Sequence, residues 1–171
     1  MKTKIDLDKI DIKLLSMLQE DSSISIRELS KTVNLKMPEL HKRIKRLEEN
    51  GVIKKFTVLL NSEKLGFNLT AFILAKVEGK NSSYVINKLI KNPHVLEIYK
   101  VTGHYDILLK VKFKSISEFH EFLDTIAMIE EIANSTSMVV LKLHKEVVEI
   151  PYGLRNSNYN PQDLGHKQNL I

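Results

Sequence analysis

The sequence contains no cysteine among its 171 residues. That absence excludes disulfides, thiolate metal sites and cysteine nucleophiles in one step. Long apolar runs are missing too: none approaches the ~20 residues that a membrane-spanning helix requires. The opening MKTKIDLDKID carries charges at close intervals where a signal peptide would be apolar, so the expectation is a cytoplasmic protein with no membrane partner. Catalytic signatures are scarce. There is no nucleophile elbow and no phosphate-binding glycine loop. The six histidines (His41, His94, His104, His120, His144 and His166) form no pair at metal-ligand spacing. The expectation is a protein that is not an enzyme and has no metal or cofactor.

What is present is an ordinary folded composition, 43% hydrophobic and 27% charged, with room for one domain or two small ones. The net charge is +5 and the pI about 9.2. The distribution says more than the total. Residues 1–55 hold 13 Lys/Arg against 9 Asp/Glu, whereas the remaining 116 residues hold 13 against 12. A basic front therefore precedes a nearly neutral rear.

The front reads as three helices. Asp8 is a helix N-cap, Asp11 adds negative charge in the first turn, and Leu7 with Ile12 forms a hydrophobic staple. Ile10, Leu14, Leu15 and Leu18 then line one face, giving a helix from about Lys9 to Gln19. Ser25-Ile-Arg-Glu28 is a capping box, with Ile24 and Leu29 as its staple. A break at Leu35-Lys36-Met37 and a proline at position 38 start a third helix. A short helix, a brief turn and another helix make a helix-turn-helix.

The third helix carries the functional signal. At about 100° per residue, Leu40, Ile44 and Leu47 share a stripe roughly 60° wide, and Arg43 flanks it. Between Lys36 and Arg46 lie five cations (Lys36, Lys42, Arg43, Lys45, Arg46) and one acid, Glu39. Cations neutralise phosphates, and a helix N-terminus presents side chains to base edges in the major groove. The expectation is binding of double-stranded DNA. Lys36, Met37, Glu39 and His41 stand at the base-reading end, with Lys36 suited to guanine and Glu39 to a cytosine amine. Lys42, Arg43, Lys45 and Arg46 are assigned mainly to phosphates. Asn50-Gly51 ends the helix, and residues Val52–Leu59 are expected to form an extended, partly basic strand.

From Leu69 the order is strand, helix, strand, strand, helix, strand. Leu69–Val77 is an apolar strand. Asn81 or Ser82 caps a helix faced by Val85, Ile86, Leu89 and Ile90, and Asn92-Pro93 stops it. Val95–Val101 follows, then a turn at Thr102–Tyr105 and the alternating residues Ile107, Leu109, Val111 and Phe113. Ser115–Glu118 opens a helix faced by Phe119, Phe122, Leu123 and Ile126, and Ser137–Leu143 is the last strand. The βαββαβ order is ferredoxin-like. Several strands are apolar at successive positions, so the sheet face without helices needs cover, and a homodimer through the sheets is expected. Two heads would then address two half-sites about one helical turn apart. The fold class is thus α+β: helix-turn-helix at 1–55, a linker at 56–68, a ferredoxin-like domain at 69–150, and a polar, flexible tail at 151–171.

LDKIDIKLLSMLQEDSSISIRELSKTVNLK, HKRIKRLEENGVIKKFTVLLNSEKLG and VTGHYDILLKV together resemble the opening, recognition helix with linker, and effector loop of the Lrp/AsnC feast/famine transcription regulators. The resemblance spans about residues 5–148. It implies a winged helix-turn-helix joined to a ligand-sensing ferredoxin-like domain, dimers that assemble into tetramers or octamers, and a small amino acid as effector. By position it implies that Gly103, His104 and Asp106 belong to the effector loop, with Ser135 and Ser137 beside the same pocket. Asp106 would answer an ammonium and the loop amides a carboxylate. The bland alternative is that Gly103 permits a tight turn and Asp106 hydrogen-bonds it. His104 replaces a frequent acid, Glu130-Glu131 replaces a frequent Pro-Gly, and the third helix begins Lys36-Met37-Pro38-Glu39 in place of Ser/Thr.

Two other functions compete. One is an architectural DNA-organising protein with little sequence preference. The other is an enzyme like the sirohaem decarboxylases, whose linker resembles Arg-Arg-Phe-Gly where this chain has Lys54-Lys55-Phe56-Thr57.

Overall fold

The structure is a computed structural model that describes residues 5–79, 81–148 and 150. The chain divides into two compact units. Among the described residues, one comprises 5–58 together with 147, 148 and 150, and the other is Leu59–Glu146. The predicted tail at 151–171 lies outside the described residues.

The first unit contains α1 (Lys9–Glu20), α2 (Ile26–Val33) and α3 (Met37–Glu49). At the start of α1 the capping is reciprocal. The Asp11 N–H donates to Asp8 Oδ1 at 2.8 Å, and the Asp8 N–H donates to Asp11 Oδ2 at 3.2 Å. Ser25 Oγ accepts the Glu28 N–H at 3.2 Å, as the capping-box spacing predicts for α2. Asn34 then leaves α2 in the left-handed region. α3 has no side-chain cap but carries Pro38 in its first turn. It ends in a Schellman motif: Gly51, at φ +68°, donates to Glu48 O, and Val52 donates to Leu47 O, both at 2.8 Å. Leu14, Leu29, Val33, Leu40 and Leu47 form the buried core, with Ile10, Leu18, Ile24 and Ile44 at its margin.

The strand expected at Val52–Leu59 does not form. Residues 52–68 are turns and irregular chain, and Phe56, Val58, Leu59 and Leu60 are exposed. An extended segment becomes a strand only when a neighbour takes its backbone groups, and no described residue does so here.

The second unit contains β1 (Leu69–Val77), α4 (Ser82–Leu89), β2 (Val95–Lys100), β3 (Ile107–Phe113), α5 (Ile116–Ala127) and β4 (Ile132–Val139). The four strands make one antiparallel sheet in the order β2-β3-β1-β4. Ala71, Ile73, Ala75 and Val77 of β1 and Ile107, Leu109, Val111 and Phe113 of β3 are buried beneath the helices. Their partners in that core are Val85 and Leu89 of α4 and Phe119, Phe122 and Ile126 of α5. Alternation puts Phe72, Leu74, Leu108, Lys110 and Lys112 on the other face, which none of the described helices covers.

Three local expectations are corrected. β4 starts at Ile132 and stops at Val139, not Ser137–Leu143. Its polar Asn134–Ser137 stretch suits an edge strand, where apolar content is a poor guide, and Leu141 is 98% exposed. Asn81 stands at the N-cap of α4 without a side-chain cap bond. Ile90 is the C-cap residue of that helix and is exposed, so it does not join Val85 and Leu89 on the buried face.

Candidate nucleic-acid interface and effector loop

The exposed end of α3 is built from its first two turns. Leu40 anchors the helix in the core, leaving Lys36, Met37, Glu39, His41 and Lys42 exposed. Met37, a large apolar side chain, is half-exposed here. Lys45 lies further along, 74% exposed, and pairs among the described residues with Glu49 (i,i+4) at 3.6 Å. Such surface pairs contribute little, so Lys45 stays available to another anion.

Arg43 and Arg46 are placed differently from the other cations. Arg43 Nη1 lies 2.6 Å from Asp8 Oδ2 and 3.0 Å from Asp11 Oδ1, and its Nε lies 3.8 Å from Glu39 Oε1. Arg46 Nη2 donates to Asp11 Oδ2. Asp11 is fully buried among the helices and is the one buried charged residue among those described. The Arg43 guanidinium, then the Asp11 N–H, hold the Asp8 carboxyl below its usual range, and Asp8 in turn raises Arg43. Removing both arginines would cost about 3–5 kcal/mol, because the buried Asp11 carboxylate would then be left without a charged partner. Both arginines, expected at phosphates, thus have acidic partners within the chain. Asp11 as their shared partner was not visible in sequence spacing, although the position of Arg43 beside the apolar stripe signals that this arginine leaves solvent.

In the second unit, Gly103 has φ +111° in the turn between β2 and β3. His104 and Tyr105 follow it, with their rings edge-on at 4.9 Å. Asp106 is engaged within the chain: its Oδ2 accepts the Val77 N–H at 2.9 Å and lies 3.1 Å from Lys76 Nζ. These two, in that order, pull its carboxyl below the usual range. An ammonium ligand here would have to share the carboxylate with Lys76. The turn-anchoring alternative for Asp106 therefore has direct contacts behind it.

Ser135 and Ser137 are exposed on β4 and register with Ala75 and Ile73, which face the helices. Lys76, to which Asp106 reaches, leaves on the opposite face. The structure thus does not bring the two serines and the Asp106 carboxylate together on one face. What meets the loop instead is Thr136, whose Oγ1 lies 2.6 Å from Tyr105 Oη. Both residues were visible in the sequence, Tyr105 inside VTGHYDILLKV and Thr136 between the serines, but nothing in the spacing singled them out. A half-open groove of about 480 Å³ lies elsewhere in this unit, lined by Ser62, Phe67, Thr70, Lys112, Leu141 and Glu146, and contains none of the predicted effector residues. Lys112 Nζ donates to Ser62 Oγ there at 2.7 Å. Among the described residues no group of three His, Asp or Glu side chains is placed to hold a metal ion, and no helix is long and apolar enough to cross a membrane.

Comparison with known proteins agrees with this architecture. Residues 7–54 match the winged helix-turn-helix DNA-binding family, and residues 70–150 match the Lrp/AsnC ligand binding domain. The chain is 46% identical over 145 residues to the HTH-type transcriptional regulator FL11 of Pyrococcus furiosus, covering 85% of this chain and 96% of that one. It is 34% identical over 143 residues to the DNA-binding transcriptional activator DecR of Escherichia coli, covering 80% and 94%. Among solved structures, the transcriptional regulator NMB0573 of Neisseria meningitidis in complex with L-Met superposes with a TM-score of 0.80 at 32% identity, covering 85% of this chain and 97% of that one.

Proposed function

The chain belongs to the Lrp/AsnC family of transcription regulators, and from that premise we propose that it binds double-stranded DNA sequence-specifically under the control of a small amino acid. The single observation behind the DNA reading is the exposed first half of α3. Lys36, Met37, Glu39 and His41 stand clear of the core at a helix N-terminus, with Lys42 and Lys45 outward behind them. In this reading the first four meet base edges, and Lys42 and Lys45 meet phosphates. The protein acts as a binding protein in the cytoplasm, not as an enzyme.

The effector reading rests on the turn Thr102–Asp106 and on the neighbour solved with L-Met. A ligand carboxylate would take loop amides freed by the left-handed Gly103, and Ser135 and Ser137 would serve from the exposed edge of β4. Asp106 is assigned to holding the loop against β1. A second copy of the chain covers the helix-free sheet face, where Phe72, Leu74 and Leu108 stand beside half-exposed Tyr99 and Met138.

Fluorescence anisotropy with DNA from upstream of the protein's own gene tests the proposal, at fixed salt and with excess unrelated competitor. Binding that survives the competitor, and that shifts when amino acids are added, is the expected result. Binding lost equally to competitor would turn the reading toward an architectural role, and no binding at low salt would end it.

A further inference from the structure

We infer that Asp11 is a positioning residue of the DNA-binding head, clasping Arg43 and Arg46 of α3 against α1 and keeping both out of the count of phosphate contacts. The inference rests on the DNA-binding reading of α3 and adds a division of labour within it.

Ionisable side chains are almost never fully buried unless paired. Asp11 is fully buried, and its carboxylate takes three donors: the Asp8 N–H, the Arg43 guanidinium and the Arg46 guanidinium. The arginines are three residues apart, so they leave the same side of α3 about one turn from each other. One contact would let the helix roll about it. Two contacts closing on one rigid carboxylate at the start of α1 fix the roll of α3 as well as its distance. Arg43 is further enclosed by Asp8 and Glu39, and its side chain is only 20% exposed. A guanidinium surrounded by three carboxylates carries little net field to a polyanion outside. Among the described residues no acid encloses Lys36, Lys42 or Lys45 in this way, and they remain as the cations of the helix that can displace counterions.

The consequence is numerical. Each neutralised phosphate contributes about −0.9 to the slope of log Kobs against log salt. Counting all five cations from Lys36 to Arg46 predicts a slope per head steeper by roughly 1.8 than counting only the three lysines.

The test uses the full chain and a 30-base-pair duplex of unrelated sequence, titrated by anisotropy across salt. Lys42→Ala should flatten the slope by about 0.9 for each head bound, whereas Arg46→Gln should leave it unchanged. Asp11→Asn should steepen it, because the arginines are released. An Arg46→Gln slope that flattens like that of Lys42→Ala overturns the inference. The clasp is also read without DNA, in a urea-unfolding cycle of Asp11→Asn, Arg46→Gln and the double variant. The double variant's loss of midpoint should be clearly smaller than the sum of the single losses. Additive losses overturn the clasp, while a wild-type chain that shows the coupling but binds no duplex defeats only the DNA-binding reading. If Asp11→Asn alone does not fold, the comparison of Arg46→Gln with Lys42→Ala still decides.

Discussion

The carboxylate of Asp106 accepts the backbone N–H of Val77 at 2.9 Å, tying the end of the β2–β3 turn to the end of β1. Lys76 adds an ion pair to the same oxygen. Both contacts favour the ionised acid, so the folded chain holds Asp106 below its ordinary carboxylate range. The stabilisation is therefore present above the unfolded value and is lost as pH falls through the lowered folded one. Urea midpoints of the wild type and Asp106→Asn should differ at pH 7 and converge in the acid range below pH 4. A difference that stays constant with pH would show that the lost contact is not ionic.

Gly103 sits in the same turn at φ +111°, a backbone that L side chains rarely adopt, yet a Cβ added there would meet nothing within 4 Å. Any effect of Gly103→Ala is thus conformational and not steric. A loss of about 1–3 kcal/mol is expected, read by denaturant unfolding, with a weakened anisotropy response to amino acids. Unaltered stability would mean that the turn relaxes freely and that the glycine is not required.

Glu39→Gln and Lys42→Ala should separate reading from holding. Lys42→Ala lowers affinity for all duplexes alike, while Glu39→Gln changes which base is preferred, with a single good contact contributing about 1–3 kcal/mol of discrimination. Binding of each variant to a panel of singly altered operators measures both effects. A shifted base preference in Lys42→Ala would refute the assignment.

Leu47 is fully buried between the helices of the first unit. Leu47→Ala should destabilise that unit by about 2–5 kcal/mol, visible as a lowered helical melting transition. On the sheet side, Leu74→Asp should shift the sedimentation of the chain toward the monomer, since Leu74 stands on the face that lacks helices. Sedimentation unchanged by that charge would place the self-association surface elsewhere.

The elements whose signal is local were legible in the sequence. Asp8, Ser25 and Ser115 stand where their caps form, and the period of two from Ile107 to Phe113 matches the buried face of β3. The edge strand was not legible in this way. β4 is held by backbone pairing to β1 and shows solvent a row of polar residues, so its Asn-Ser-Thr-Ser stretch carries no hydrophobic mark. The placement of Arg43 and Arg46 was hidden for a different reason. A cation on a helix looks alike in sequence whether it meets DNA or an aspartate 32 or 35 residues away. Only the three-dimensional meeting of α1 and α3 distinguishes the two. The side of the sheet on which Ser135 and Ser137 stand was likewise not legible in position alone, because it is set by their register with Ala75 and Ile73.

The third helix is, in effect, two parts with different histories open to them. Its later half is constrained, since Arg43 and Arg46 together supply the charged partners of buried Asp11. Its opening half bears Lys36, Met37, Glu39 and His41, none of which the core requires. Mutation can rewrite the address at that end while the chassis stays intact. Duplicated copies of such a gene can accordingly drift to new operators by few substitutions, and an engineer can do the same by randomising those four positions alone.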